Sequence, residues 1–346
     1  MIEFLKDYGL FLAKTVTVVL AIVFIVRGML AAVQHEREMS REKITVKKLN
    51  RHYEYLHDVL REEMTSVFER KQIIKEKKQQ WKEEKKKAKA GELTEKRKIF
   101  VLNFRGDIKA SAVASLREEV TAILTVAKPT DEVVVRLESS GGVVYGYGLA
   151  ASQLQRFKQK NIPLTISVDK VAASGGYLMA CVADRILAAP FAVVGSIGVI
   201  SQVPNFNRLL KKYDIDYEEI TAGEYKRTLS IFGENTEKGR QKFVEQMEEV
   251  HTSFKDFLQE HRPQIELAAA ATGEYWYGKR ALDLKLVDQL TTSDDYLFAA
   301  NESSDIYEIT YKPKETLREK LAAGLEESLQ RGLNLLWKRA EESRFV

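Results

Sequence analysis

Between residues 99 and 221 short β-rich runs alternate with stretches of helical period, and that alternation restricts the possible folds more than any other feature of the chain. The runs at 99–104, 132–138, 164–168, 185–189, 197–201 and 217–221 read as strands. Helical segments at 111–126, 145–160, 174–183 and 205–213 fall between them. Strand, helix, strand repeated in this way argues for parallel βαβ units and an α/β fold. Residues 236–262 then read as one long amphipathic helix, with Phe243, Met247, Val250, Phe254, Phe257 and Leu258 at helical spacing. A last charged helix at 316–339 carries Leu321, Leu325, Leu329, Leu333 and Leu336, a stripe expected to pack on a neighbouring subunit.

The N-terminal third has a different texture. Residues 10–33 are almost wholly apolar, interrupted by Lys14 and Arg27 near the two ends. About 20 apolar residues cross a hydrocarbon core, and end-placed cations snorkel to the headgroups, so a single-pass anchor is expected at 1–33. A cleaved signal peptide is the rival reading, but the run exceeds the usual apolar region of roughly 7–15 residues. Lys6 precedes the span, whereas Arg37, Arg41, Lys43, Lys47, Lys48 and Arg51 follow it. That asymmetry favours a short N-terminus outside and the large domain in the cytoplasm, a periplasmic placement being the alternative. Residues 34–98 are rich in Lys, Arg, Glu and Gln, with one apolar stripe at Leu49, Tyr53, Leu56, Leu60, Met64, Val67 and Phe68. They read as a charged helical stalk or solvated linker between the lipid bilayer and a domain at 99–300, with a helical, oligomer-associated extension at 301–346. Beyond the stripe the basic residues are mixed with acids and hold one aromatic, Trp81, which offers no stacking platform and disfavours nucleic acid as a partner.

The chemistry concentrates in Val168-Asp169-Lys170-Val171-Ala172-Ala173-Ser174-Gly175-Gly176-Tyr177, a serine among small residues where an apolar run gives way to a helix. A serine nucleophile needs a base. The chain has five histidines, His35, His52, His57, His251 and His261, so residues 58–250 supply no imidazole. A Ser-Lys pair is therefore the leading reading, and a lone lysine follows at Lys226 in Gly223-Glu224-Tyr225-Lys226-Arg227-Thr228. A lysine acts as base only when neutral, and burial in an apolar site lowers its pKa from about 10.4 by removing water from the ammonium. The pair therefore requires a dry cleft. Ser139-Ser140-Gly141-Gly142 follows a strand, and Gly141, Gly142 and Gly175 offer backbone N–H groups for an oxyanion hole. Ser196, in Gly195-Ser196-Ile197-Gly198-Val199, is a candidate for orienting the lysine amine. The single cysteine, Cys181, reads as a small buried hydrophobe.

Taken in order, Ala173-Ser174-Gly175-Gly176-Tyr177, Gly195-Ser196-Ile197-Gly198-Val199 and Glu224-Tyr225-Lys226 resemble the signal peptide peptidase A family of bacterial serine peptidases. The resemblance covers about residues 99–290 and extends to the N-terminal anchor. It implies a ClpP/crotonase-like fold of repeated ββα units, Ser174 as nucleophile, Lys226 as general base, and oxyanion amides from the Gly141-Gly142 turn and Gly175. The family's Ser/Thr-Pro-Gly-Gly turn lacks its proline here, so either glycine of the pair is a candidate. The family also implies a bacterial inner-membrane endopeptidase that digests signal-peptide remnants or other peptide and protein substrates. It further implies ring-like homo-oligomers whose neighbours complete one another's sites, and no metal or cofactor. Two other classes stand beside it: an inactive membrane scaffold or quality-control adaptor, and a crotonase-type acyl-CoA enzyme. The last needs acid/base carboxylates beside the oxyanion site, which residues 172–177 do not offer.

Overall fold

The computed structural model describes residues 43–66 and 96–313, with isolated positions before and between them. The expected anchor at 1–33, the stalk over most of 67–95 and the helix at 316–339 lie outside the described residues. Among the described residues no helix is long and apolar enough to cross a membrane. Almost all described elements belong to one unit, residues 45–310.

Strand β1 (Lys43–Lys48) and helix α1 (Leu49–Met64) lead to β2 (Arg97–Gly106), α2 (Val113–Leu124), β3 (Glu132–Ser139), α3 (Val144–Gln159) and β4 (Leu164–Val168). Next come β5 (Val171–Ala173), α4 (Gly175–Ala180), β6 (Arg185–Ala188), β7 (Val193–Gly195) and the short α5 (Asn207–Lys212). The long α6 (Glu237–His261) is followed by α7 (Leu267–Ala270), β8 (Tyr275–Tyr277), α8 (Gly278–Asp283), β9 (Gln289–Leu290), α9 (Ser293–Ala300) and β10 (Ser304–Lys312). The sheet runs β1-β10-β2-β3-β4-β6-β9, and its pairings from β10 to β9 are parallel. At the end of β3 a branch departs: Ser139 pairs with Ala172 of β5, β5 pairs with β7, and β8 closes the branch antiparallel to β7.

Both faces of the sheet are covered, which is why its strands are continuous apolar runs and not alternating ones. Phe100, Leu102, Phe104, Val133, Val135 and Leu137 point into the main core with α2, α3 and α4. Ile99, Val101 and Val134 point the other way, onto Leu49, Leu297 and Ile306. On the first side, Arg262 just after α6 makes a two-pronged ion pair with Asp288 (2.7 and 2.8 Å). Tyr177 of α4 donates its hydroxyl to the Leu286 carbonyl (2.7 Å). These bonds fix α4, and with it the residue that precedes it.

Four differences from the sequence reading stand out. Residues 197–201 and 217–221 are not strands; Ile200 and Ile220 are exposed and find no neighbouring strand, and β-branched residues do not make a strand without one. The strands β5 and β7 were not expected because three residues are too few to show a period. Residues 43–64 of the expected stalk form β1 and α1, and the start of α1 belongs to the folded unit. There Asn50 donates to Asn301 Oδ1 (2.8 Å) and the Ser304 carbonyl (2.9 Å) and accepts from the Ile306 N–H (2.7 Å). The expected helical extension after residue 300 begins instead with β10, which joins β2 in parallel and extends the sheet beyond the expected domain boundary.

Cys181 is fully buried, and burial pushes its thiol up to about 12. Since the thiolate is the reactive form, the native protein is expected to resist iodoacetamide at pH 8 and to take up one carbamidomethyl group once denatured, as read by intact mass.

Candidate active site

The parallel strands β2 and β3 and the branch strand β5 end together. Gly106 pairs with Ser139, and Ser139 with Ala172, so the turns after them share the C-terminal rim of the sheet. Open α/β sheets bind ligands at this rim. Ser174 directly follows β5 and precedes α4, with φ 51° and ψ −120°. Positive φ is costly for a residue with a Cβ, by about 1–3 kcal/mol, and such residues cluster at functional sites. The conformation is held by two bonds: the Ser174 N–H donates to the Gly195 carbonyl (2.8 Å), and its carbonyl accepts from the Leu178 N–H (3.0 Å). A serine on a sharp strand-to-helix turn presents its hydroxyl outward, as in nucleophile elbows on other folds. Among the described residues the Ser174 hydroxyl makes no hydrogen bond, and the residue is half-buried.

The glycines lie where the sequence reading expected backbone donors. A Cβ added at Gly141 would lie 2.8 Å from Ser174 Cβ and 2.7 Å from the Gly175 nitrogen, so this turn abuts the serine directly. Gly141 has φ +88°. Its N–H is already engaged, donating to Ser139 Oγ at 3.0 Å. The Gly142 and Gly175 N–H groups make no hydrogen bond among the described residues, the latter because the first turn of a helix has no partners for its donors. Of the Gly141-Gly142 pair, Gly142 is therefore the one with an amide to spare. Its Cα is pressed against the Ile108 carbonyl, where a Cβ would collide, and the next N–H, of Val143, donates to that same carbonyl (2.8 Å).

Lys226 is elsewhere. It is exposed, in a turn closed by its own N–H to the Gly223 carbonyl (3.1 Å), within a segment from 199 to 235 whose only helix is α5. That turn rests on the start of α6: Glu224 pairs with Lys238, and the Lys242 ammonium lies 5.4 Å from the centre of the Tyr225 ring. The segment next to Ser174 meets α6 further along, where His251 hydrogen-bonds the Ile197 carbonyl (3.2 Å). Residues 242 and 251 stand about 13 Å apart along α6, so the lysine turn and the loop after β7 rest on different stretches of that helix. The Lys226 amine makes no hydrogen bond or ion pair among the described residues. Ser196 follows Gly195, whose carbonyl accepts the Ser174 N–H, and no contact among the described residues joins it to Lys226; its N–H donates to the Glu274 carbonyl (2.7 Å) and its φ is 51°.

The segment carrying Lys226 is held by its own bonds. The Asn205 amide donates to the carbonyls of Ser230 and Gly233 (2.9 Å each), and the Phe206 N–H to the Ile231 carbonyl (2.7 Å). Phe206 and Tyr217 each meet the Phe232 ring at a tilt while all three remain exposed, and Ile220 is 93% exposed. Two residues to which the sequence reading gave no role also belong to the site. Ser139 and the fully buried Tyr147 are bonded to each other just behind the glycine turn (2.5 Å). Their only sequence signal is position: Ser139 ends the strand before the turn, and Tyr147 stands in the first turn of the helix after it.

Comparison with known proteins gives a consistent result. The family model described as Peptidase family S49 N-terminal matches residues 3–154, and that described as Peptidase family S49 matches residues 156–307. A protein described as "Probable protease SohB" from Haemophilus influenzae is 47% identical over 333 residues, covering 94% of each chain. A second of that description, from Buchnera aphidicola of Acyrthosiphon pisum, is 54% identical over 238 residues, 69% of this chain and 71% of the relative. A third, from Buchnera aphidicola of Schlechtendalia chinensis, is 43% identical over 305 residues, 86% of this chain and 99% of the relative.

Proposed function

The chain belongs to peptidase family S49 and is a protease; from that premise we propose that it is a Ser-Lys endopeptidase whose nucleophile is Ser174. The observation that carries the reading is the Ser174 backbone, held at φ 51° beside two unpaired amides. Ser174 Oγ attacks the substrate carbonyl while a neutral Lys226 amine takes its proton and later returns it to the leaving amine. The Gly142 and Gly175 N–H groups receive the oxyanion as it forms. Water then hydrolyses the acyl-enzyme. Ile108 and Tyr145, both largely exposed beside Gly142, supply apolar contact for the substrate chain. That suits membrane-derived or unfolded peptides such as signal-peptide remnants.

The dyad forms between neighbouring chains. Supporting this are the exposed Lys226 turn, whose amine makes no hydrogen bond or ion pair among the described residues, and the exposed aromatic surface of the 199–235 segment, which a neighbour would cover. Burying the lysine turn in that contact also supplies the desolvation a neutral amine needs. The assembly is a homo-oligomer anchored by residues 10–33 in a bacterial inner membrane, with the catalytic domain cytoplasmic by the flanking charges. No step in this chemistry calls for a cofactor or a metal. The test is incubation of the full chain with unfolded casein and with a peptide boronic acid. The expected result is cleaved casein and a boronate adduct whose mass maps to the Ser174 peptide. Uncut casein from the assembled protein, or an adduct on another residue, would overturn the reading.

A further inference from the structure

We infer that Ser139 and Tyr147 are positioning residues of the oxyanion hole: a one-way chain of hydrogen bonds through their hydroxyls holds the turn that presents the Gly142 N–H, while the tyrosine ring backs the Gly175 N–H. The inference rests on the proposed role of Ser174 and adds to it two residues that lie outside the nucleophile motif.

Three bonds define the chain. Tyr147 Oη lies 2.8 Å from the Asp107 carbonyl oxygen and 2.5 Å from Ser139 Oγ, and the Gly141 nitrogen lies 3.0 Å from Ser139 Oγ. The ends dictate the direction. A carbonyl only accepts, so the phenol hydrogen goes to Asp107. The phenol oxygen then takes the Ser139 hydrogen, and Ser139 Oγ is left with lone pairs facing the Gly141 N–H. Each hydroxyl hydrogen is used once, and reversing either hydroxyl would leave Asp107 without this donor or set two hydrogens face to face. In a buried setting such a chain is stiff, because each of its members is costly to leave unpaired.

What the chain ties together is the reason it matters. Asp107 opens the loop after β2, and Gly141 sits in the loop after β3. Those loops meet a second time at the Ile108 carbonyl, which accepts from the Val143 N–H and packs on Gly142. Gly142 is thus bracketed: the Ser140–Gly141 peptide, one before the peptide that carries the Gly142 N–H, is pinned through Ser139 and Tyr147, and the Gly142–Val143 peptide after it through Ile108. There is no slack for the hydroxyl pair to move, since a Cβ at Gly106 would strike Tyr147 Oη and lie 2.6 Å from Ser139 Oγ. The Tyr147 ring serves the other amide. A Cβ at Gly175 would lie 2.5 Å from Tyr147 Cγ, so the ring is flush against the backbone that carries this N–H. One side chain therefore sets the spacing between both donors, and an oxyanion hole depends on donors held at fixed distance from the place where charge develops.

The experiment uses the full chain with a fluorogenic casein-derived peptide and a peptide boronic acid, which mimics the tetrahedral intermediate. Tyr147→Phe keeps the ring and removes the hydroxyl; Ser139→Ala removes the middle of the chain. Each is expected to lower kcat per boronate-titrated site by about tenfold or more, less than the roughly 10²–10³ lost when a donor is deleted outright. KM is expected to stay within about twofold, and boronate affinity to fall by the same factor as kcat, the pattern of an interaction made only in the transition state. The double variant is expected to lose little more than the worse single one, because both act through one chain. If Tyr147→Phe does not fold, Ser139→Ala carries the test with the same readouts. Unchanged kcat and boronate affinity per titrated site, or a loss confined to KM or to the folded fraction, would overturn the inference. Ser174→Ala separates the two levels: if that variant still cleaves, the nucleophile assignment fails. If it is inactive while both hydroxyl variants keep full kcat, only the positioning role fails.

Discussion

Ser174→Ala is expected to lower the casein-cleaving kcat by at least about ten-thousandfold with no loss of folded protein. Removing the nucleophile of a serine hydrolase leaves only the rate that substrate binding and the oxyanion donors supply. The alanine keeps the Cβ and so keeps the backbone cost of φ 51° at this position. Ser174→Gly makes a sharper companion. It is equally inactive, but glycine adopts positive φ without that cost, which at about 1–3 kcal/mol exceeds the roughly 0.5–1 kcal/mol of extra chain entropy it loses on folding. The glycine variant is therefore expected to be about 1 kcal/mol more stable than the alanine variant in urea melts. An inactive alanine variant with a glycine variant of lower stability would mean that the Ser174 backbone is not strained. An active alanine variant would remove the serine mechanism altogether.

Lys226→Ala and Lys226→Arg are both expected to lose roughly 10²–10⁴ in kcat, the usual worth of a general base. The arginine variant is the informative one. It keeps the positive charge and most of the length, but a guanidinium does not give up its proton, so it cannot receive one from serine. Activity retained by Lys226→Arg would reduce the residue to an electrostatic role. The partnership between chains has its own readout. Co-expressed Ser174→Ala and Lys226→Ala chains are each inactive alone, yet a head-to-tail ring gives about a quarter of its sites an intact serine from one chain and an intact lysine from the next. Recovered activity of that size is expected. None at all, from assemblies proven to be mixed, would place the dyad within one chain.

The parts of the site that were legible in the sequence are those whose geometry follows from adjacency. Gly175 carries its N–H next to Ser174 because it is the next residue, and a helix that starts there leaves that amide unpaired in any fold. The missing imidazole over residues 58–250 pointed to a lysine as the proposed base, and only the constellation of motifs singled out Lys226 among the lysines there. The choice between Gly141 and Gly142 was not legible. It turns on where the Ser139 hydroxyl points, which depends on a tyrosine from α3 and a carbonyl from the end of β2. Tyr147 had no motif to announce it. Its role exists only because three segments distant along the chain end on one rim.

The long strands β2, β3 and β4 were found close to where the sequence expected them, because two-sided burial demands apolar runs long enough to see. The short branch strands were missed, and the runs at 197–201 and 217–221 were misread, for one reason: β-branched composition records what a residue tolerates, whereas a strand exists only where a neighbour offers its N–H and C=O groups. β10 was missed in the same way; Ser304 to Glu308 owe their extended form to the register with β2.

The order of residues along the chain was enough to point to the covered α/β sheet and the turn at Ser174, since periodicity and glycine placement are local properties. Which amides remain free and where the Lys226 turn rests were decided by packing: hydrogen bonds between remote loops consume some donors and spare others, and the long helix α6 meets the lysine turn at its start and the loop beside Ser174 further along.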